Sequence, residues 1–253
     1  MKDYAAYPRS SISMSKDEKF LNTIDGIFRD NVITTIIESG TFKGTGSTTT
    51  IAESVVRNKV DIECFYTIEV DYRFYTIAKK NLKKYKFIQP IWGLSVDHNK
   101  AISFIENDDA IKNHSNYPDV YIDTLNNPVE FYLNEINGQL SKTEKKKPFF
   151  LSMFGGAKKY STFTKNVFDT LLPKVQKQTS LILLDSAGGI GFLEFKTVLE
   201  YLADAEFIII LDDIHHLKHF RSLQFIRESG NFKILNESLA DGWVVAKYSN
   251  TGL

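Results

Sequence analysis

The chain has 253 residues, 43% of them apolar and including 19 Phe and 12 Tyr, enough for one large α/β domain or a domain with a sizeable insertion. Thirty-one basic residues balance 31 acidic ones, which removes any bulk attraction toward nucleic acid or an anionic membrane surface. The single Cys64, set in the apolar run IECFYTIEV, excludes an intramolecular disulfide framework and a cysteine-rich metal site.

Residues 1–16 are polar and Ser-rich without periodicity and are expected to form a flexible arm. They contain no apolar leader core, and no stretch approaches the roughly 18 uninterrupted apolar residues of a membrane span. A cytoplasmic protein without a membrane partner is the expectation. From Asp17, the residues Phe20, Leu21, Ile24, Ile27 and Phe28 recur as one helical stripe. VITTIIESG then reads as a β-branched strand, and STTTIAESVVRN as a helix opened by Ser and Thr. IECFYTIEV is a second strand, followed by the helix YRFYTIAKKNLKKY. FIQPIWGLS is a third strand, in which Pro90 argues for an edge or a bend. Such alternation implies right-handed crossovers and a parallel sheet covered on both faces.

Residues 98–165 break the rhythm with the short mixed segments AISFIEN, DVYIDTLNNPVEFYLNEINGQL, SKTEKKK and PFFLSMFGGAKKY. They read as an insertion or cap within a single domain spanning 1–253, with KTEKKK as a solvated loop tip. Alternation resumes with the helix FTKNVFDTLLPKV, the strand LILLD, the helix FLEFKTVLEYLA and the strand EFIIILDD. A basic helix around HLKHFRSLQFIRES comes next. FKILNES and GWVVAKY, separated by the turn-like LADG, then read as an antiparallel hairpin.

Between the first strand and its helix, ESGTFKGTGSTTT sets Gly40, Gly44 and Gly46 where the backbone can approach a ligand and the helix N-terminus offers free N–H groups. The spacing matches neither G-x-x-x-x-G-K-[ST] nor G-x-G-x-x-G. Glu69 and Asp71 end the second strand, where an acid can accept hydrogen bonds from both ribose hydroxyls. Gly93 and Ser95 end the third. All of these fall at the carboxyl edge of the sheet, where open α/β folds bind ligands.

In these features the chain resembles class I S-adenosylmethionine-dependent methyltransferases, over roughly residues 32–97 and 180–248. The resemblance implies a Rossmann-like, seven-stranded, mostly parallel sheet with an antiparallel C-terminal hairpin and an insertion or cap between strands three and four. It implies that S-adenosylmethionine lies against Glu38, Gly40, Thr41, Gly44, Gly46, Ser47, Glu69, Gly93, Ser95 and Asp185.

LILLD and FIIILDD end in Asp185, Asp212 and Asp213, and His215, His216 and His219 follow. Asp185 reads equally well as a helix cap. Adjacent acids beside a buried strand need a partner, and three close carboxylates repel unless a cation sits among them. Oxygen-rich ligation suits Mg²⁺ or Mn²⁺. The arrangement resembles metal-dependent O-methyltransferases of the catechol type and of the macrocin and novobiocin-pathway sugar type. That likeness implies Asp185, Asp212 and Asp213 as ligands of a metal that orients the acceptor. The catechol-type lysine position is Gly188 here, so His215 is the expected general base. His219, one helical turn on and on the same face, is second.

His216 and Lys218 read as solvent-facing or substrate-edge groups, and Arg221 as the partner of an acid or of an anionic substrate. The expected activity is O-methylation of a small polar molecule, with a sugar or polysaccharide precursor favoured, no nucleic-acid partner, and a homo-oligomer left open. Three rivals stand beside it: a metal-independent enzyme using His215 as base, a non-catalytic S-adenosylmethionine or nucleotide-binding module, and a metal-dependent nucleotide-sugar transferase using Asp212 and Asp213, which the terminal hairpin and the glycine loop disfavour.

Overall fold

The computed structural model describes residues 14–144 and 163–250. Most of the N-terminal polar arm, the basic end of KTEKKK and the segment PFFLSMFGGAKKY lie outside the described residues. In chain order the elements are α1 (Glu18–Asp30), β1 (Thr35–Ser39), α2 (Ser47–Arg57), β2 (Cys64–Glu69), α3 (Tyr72–Asn81) and β3 (Ile88–Trp92). Then come α4 (His98–Asn107), α5 (Asp109–Lys112), α6 (Pro128–Glu144), α7 (Phe168–Leu171), β4 (Ser180–Leu184) and α8 (Gly191–Tyr201). The last are β5 (Phe207–Leu211), α9 (Phe220–Glu228), β6 (Phe232–Ser238) and β7 (Trp243–Tyr248). Among the described residues no helix is long and apolar enough to cross a membrane.

The strands form one seven-stranded sheet in the order β3-β2-β1-β4-β5-β7-β6. β1 to β5 are parallel, and β7 runs antiparallel between β5 and β6. This is the Rossmann-like sheet with an antiparallel C-terminal hairpin that the sequence leads one to expect. Pro90 sits in β3, the edge strand, where its missing N–H costs no ladder bond on the open side.

Period-two burial divides the apolar side chains between two faces. Ile36, Leu181, Leu183, Ile208, Ile210 and Val245 pack with Phe20, Ile24 and Ile27 of α1 and Ile51 and Val55 of α2. Their neighbours Ile37, Ile182, Leu184, Ile209, Leu211 and Val244 face Phe168, Phe195, Val198, Leu223 and Ile226 on α7, α8 and α9. Each such fully buried aliphatic side chain stabilises the fold by about 1.5–3 kcal/mol. Asp17 caps α1 by accepting the Lys19 N–H at 2.8 Å, and its other oxygen takes the Trp243 indole N–H at 2.6 Å. One residue thus starts α1 and ties it to β7.

Two expected helices are shorter than their apolar patterns. The segment from Phe163 turns helical only at Phe168, because Thr164 and Val167 spend their N–H groups on the carbonyls of Trp92 and Leu94. The segment after β5 turns helical only at Phe220, and residues 214–219 form successive turns. His215 and His219 therefore do not share a helix face. This corrects the expectation from periodicity, which tertiary hydrogen bonds override here.

Candidate functional site

The strand order reverses between β1 and β4, so their loops diverge and leave a crevice at the carboxyl edge. A cleft of about 500 Å³ lies there. Its wall runs from Ser39, Gly40 and Phe42 past Glu69, Asp71 and Phe74 to Gly93, Leu94 and Ser95. It is completed by Glu135 and Ile136 of α6 and by residues 185–188 and Ile190 after β4. A wider groove of about 730 Å³ between α1 and β6 shares no residue with it.

Gly40 is where the two halves meet. Its φ is +95°, and a Cβ there would lie 2.1 Å from the Asp185 carbonyl oxygen, so only glycine lets the loop after β1 cross the end of β4. Gly93 is constrained differently: a Cβ would lie 2.4 Å from the Thr164 carbonyl, because the chain returning from the insertion crosses it. Both glycines also line the cleft.

The carboxylates at this edge take different roles. Glu69 lines the cleft and accepts the N–H groups of Phe42 and Asp71, each at 2.7 Å. Burial outweighs those bonds and pushes its carboxyl up to about 7. Asp71 caps α3 through the Arg73 N–H at 2.7 Å, and the Arg73 guanidinium beside it holds it below the usual carboxylate range.

Glu38 is fully buried and does not line the cleft. It accepts hydroxyl hydrogen bonds from Ser47 at 2.8 Å, Thr48 at 2.7 Å and Thr67, and burial raises it to about 7. Glu38 and Ser47, both expected to touch the donor, thus join β1 to the start of α2. Thr41 is buried, with its hydroxyl on Thr67. Gly44 packs on Leu82, and Gly46 is the N-cap residue of α2.

Glu194 was missed by sequence reasoning. It reaches from the first turn of α8 to accept the hydroxyls of Ser39 at 3.2 Å, Ser186 at 2.6 Å and Ser95. The ends of β1, β3 and β4 are thereby tied beneath the cleft. Its signal was available: a lone acid in the apolar run GFLEF.

Beyond β4 and β5 two of the three predicted metal ligands, Asp185 and Asp213, converge around an ammonium, while Asp212 Oδ1 accepts the Asp213 N–H at 3.0 Å. Lys218 Nζ lies 3.2 Å from Asp185 Oδ1, 2.9 Å from Asp213 Oδ2 and 3.2 Å from the Ser186 carbonyl. Only 5% of Lys218 is exposed, the reverse of the solvent-facing position expected. Burial alone would lower its pKa, but Asp185, Asp213 and Asp212 together push it above the ordinary lysine range. Burial and the neighbouring acids raise Asp212 well above the carboxylate range, and burial leaves Asp185 raised despite Lys218. Asp213 is held low because Lys218 outweighs its burial. Among the described residues no group of three or more His, Cys, Asp or Glu is placed to hold a metal ion. The lysine supplies the cation that the three acids require, so Asp185, Asp212 and Asp213 do not fit a divalent metal here.

The histidines also take unexpected places. His215 Nε2 lies 2.7 Å from the Leu239 carbonyl at the β6–β7 turn, and the residue does not line the cleft. His219 is fully buried with Nδ1 3.3 Å from the Ser222 hydroxyl, and burial holds it neutral, well below the usual histidine range. His216, expected at a solvent-facing or substrate-edge position, is instead buried, with Nδ1 accepting the Lys218 N–H at 3.2 Å and Nε2 3.2 Å from Asp123 Oδ2. The Tyr132 hydroxyl donates to that same Asp123 oxygen at 3.0 Å. Backbone bonds hold the pair together: the Tyr121 N–H to the His215 carbonyl and the Leu217 N–H to the Tyr121 carbonyl, both 2.8 Å. Residues between β3 and β4 thus contribute Asp123, Tyr132 and Glu135 to the site. Arg221 pairs with Asp108 through two bonds of 2.7 and 2.8 Å.

No protein-family model matches the chain, and no curated protein matches it. Among solved structures, the chain is similar to an O-methyltransferase from Bacillus cereus in complex with SAH: 13% identity, 97% of this chain and 86% of that one covered, TM-score 0.49. It is also similar to a precorrin-6y C5,15-methyltransferase from Geobacter metallireducens, at 9% identity, 96% and 94% coverage, and TM-score 0.45. A third is TrmK of M. capricolum in complex with S-adenosyl-homocysteine, at 14% identity, 91% and 67% coverage, and TM-score 0.35. These neighbours are methyltransferases. The fold itself is read from the strand order and its antiparallel β7.

Proposed function

We propose that this chain is an S-adenosylmethionine-dependent methyltransferase that acts on a hydroxyl of a small polar acceptor. One observation carries the reading: among the described residues, the cleft at the β1/β4 switch point is lined by four acids, Glu69, Asp71, Glu135 and Asp185, and by no lysine or arginine. An acid-lined, largely apolar cleft of this size suits a cationic sulfonium with a nucleoside. It opposes a dinucleotide, whose pyrophosphate carries negative charge. Glu69, at the end of β2, supports ribose binding, since a carboxylate with two fixed N–H partners is held rigidly for further hydroxyl donors.

Methyl transfer forms a bond from the acceptor oxygen to the methyl carbon as the sulfur–carbon bond breaks, and the sulfonium becomes a neutral thioether. The acceptor's proton must then go to a base. Asp185 is the group proposed for it, because it lines the cleft while Lys218 holds its Oδ1 in place. A carboxyl raised by burial is a better proton acceptor than an ordinary one. Asp123 and Asp213, both at least partly exposed, supply further acceptors for the hydrogen bonds of a polyhydroxylated substrate, which supports a sugar.

Calorimetry with S-adenosylmethionine tests the reading. Saturable binding is expected, weakened about tenfold or more by Glu69→Ala, a loss of about 1.4 kcal/mol, with NAD⁺ not competing. An absence of donor binding would sink it.

A further inference from the structure

The acids after β4 and β5 carry a second consequence, independent of which donor or acceptor is used. Lys218 Nζ has three N–H groups and three oxygen partners within 3.2 Å: Asp185 Oδ1, Asp213 Oδ2 and the Ser186 carbonyl. Its donors are fully spent inside the cluster. The stem cannot readily swing away. A Cβ on Gly191 would sit 2.8 Å from Lys218 Cβ, so the lysine packs directly on the start of α8. Its backbone N–H is held by His216 Nδ1, and the preceding Leu217 N–H is bound to Tyr121.

The carboxylates are set to meet this ammonium. Asp213 adopts φ +56°, a left-handed conformation that disfavours a residue with a Cβ, and strain of this kind persists only where surrounding contacts hold it. A divalent ion bound to these oxygens at about 2.0–2.6 Å would need the volume and the charge position that Nζ already fills. Lysine and metal are therefore mutually exclusive occupants.

We infer that Lys218 is a built-in cation that takes the place of a divalent metal, so that the native site rejects Mg²⁺ and Mn²⁺. Removal of its ammonium opens a latent divalent-cation site formed by the carboxylates of Asp185 and Asp213 and the Ser186 carbonyl. The ammonium gives the site a permanent counter-charge that chelators cannot remove.

Metal-stripped protein titrated with Mn²⁺, followed by electron paramagnetic resonance of free Mn²⁺, tests this without any assay of activity. The native chain should show no saturable site into the millimolar range. Lys218→Ala, with its fold verified by circular dichroism, should gain one site at least tenfold tighter than any native binding. Lys218→Ala/Asp213→Asn should lose that site. If the alanine variant does not fold, Lys218→Gln, which keeps most of the packed stem and removes the charge, is titrated with the same expectation. Saturable Mn²⁺ binding by the native chain that disappears in Asp185→Asn or Asp213→Asn would overturn the inference. So would a folded Lys218 variant that gains no site.

Discussion

Glu194 shows how a single residue can organise a site without facing it. Its carboxylate is fully buried and accepts three serine hydroxyls that belong to three different strand ends. Charge-assisted bonds of this kind are stronger than neutral ones, and the first turn of α8 adds a favourable helix-dipole field. Burial still raises the carboxyl above its ordinary value, so desolvation exceeds what the hydroxyls return. Glu194→Ala strands Ser39, Ser95 and Ser186 and is expected to destabilise the fold by about 2–4 kcal/mol. Ser95 and Ser186 also line the cleft, so donor affinity should fall with it. Urea denaturation and calorimetry on the same variant measure both losses; a variant as stable as the native chain would show the serines to be otherwise satisfied.

At the scale of elements, the segment between β3 and β4 is attached to the sheet at separate points. Thr164 bridges to Gly93, and Tyr121 bridges to His216. Arg221 of α9 forms a two-pronged pair with Asp108, the residue that caps α5. Asp108 is only 9% exposed, so removing its partner leaves a buried charge without its counter-ion. Arg221→Ala is expected to cost about 3–5 kcal/mol. Arg221→Lys should restore only part of it, because an ammonium cannot reproduce both parallel bonds. Hydrogen exchange should show the loss as faster opening of α5 and α9 ahead of the strands. Equal protection of these helices in native and alanine proteins would count against the tie.

For the whole molecule, the concentration of buried acids under one sheet edge makes stability depend on pH. Glu38 is the clearest case, since it is fully buried and titrates near 7 in the fold. A glutamate in the unfolded chain titrates near its model value of 4.5. Between these values the unfolded state releases a proton that the folded state keeps, so stability falls as pH rises. The contribution is fully present below about pH 4.5 and lost by about pH 7 to 8, an amount of about 3 kcal/mol from this one group. Glu38→Gln removes the titration while keeping an oxygen acceptor. Its denaturation midpoint should change less than that of the native chain between pH 5 and 7.5. Parallel profiles for the two proteins would exclude Glu38 as the source.

Much of the fold was legible along the chain. The alternation of Ile36 with Ile37, of Leu181 with Ile182 and of Ile208 with Ile209 is a local property of strands covered on both faces, and Pro90 marked the edge. The terminal hairpin announced the antiparallel β7. The glycine loop, Glu69 and the acids after β4 and β5 were likewise visible, because residues at strand ends are brought to one edge by topology alone. Which of those groups faces the cleft was decided only in three dimensions. Glu38 turned inward to the hydroxyls of α2, and His215 went to the β6–β7 turn. His219 was buried beneath α9. Lys218 lies five residues beyond Asp213 and 33 beyond Asp185, and no local periodicity relates such positions. It entered the cluster because non-helical turns over 214–219, bonded to Tyr121, aimed its stem there. Sequence determined that three carboxylates would need a cation. Tertiary structure decided that the cation is the protein's own, because burial makes a charge seek the nearest opposite charge whatever its distance along the chain.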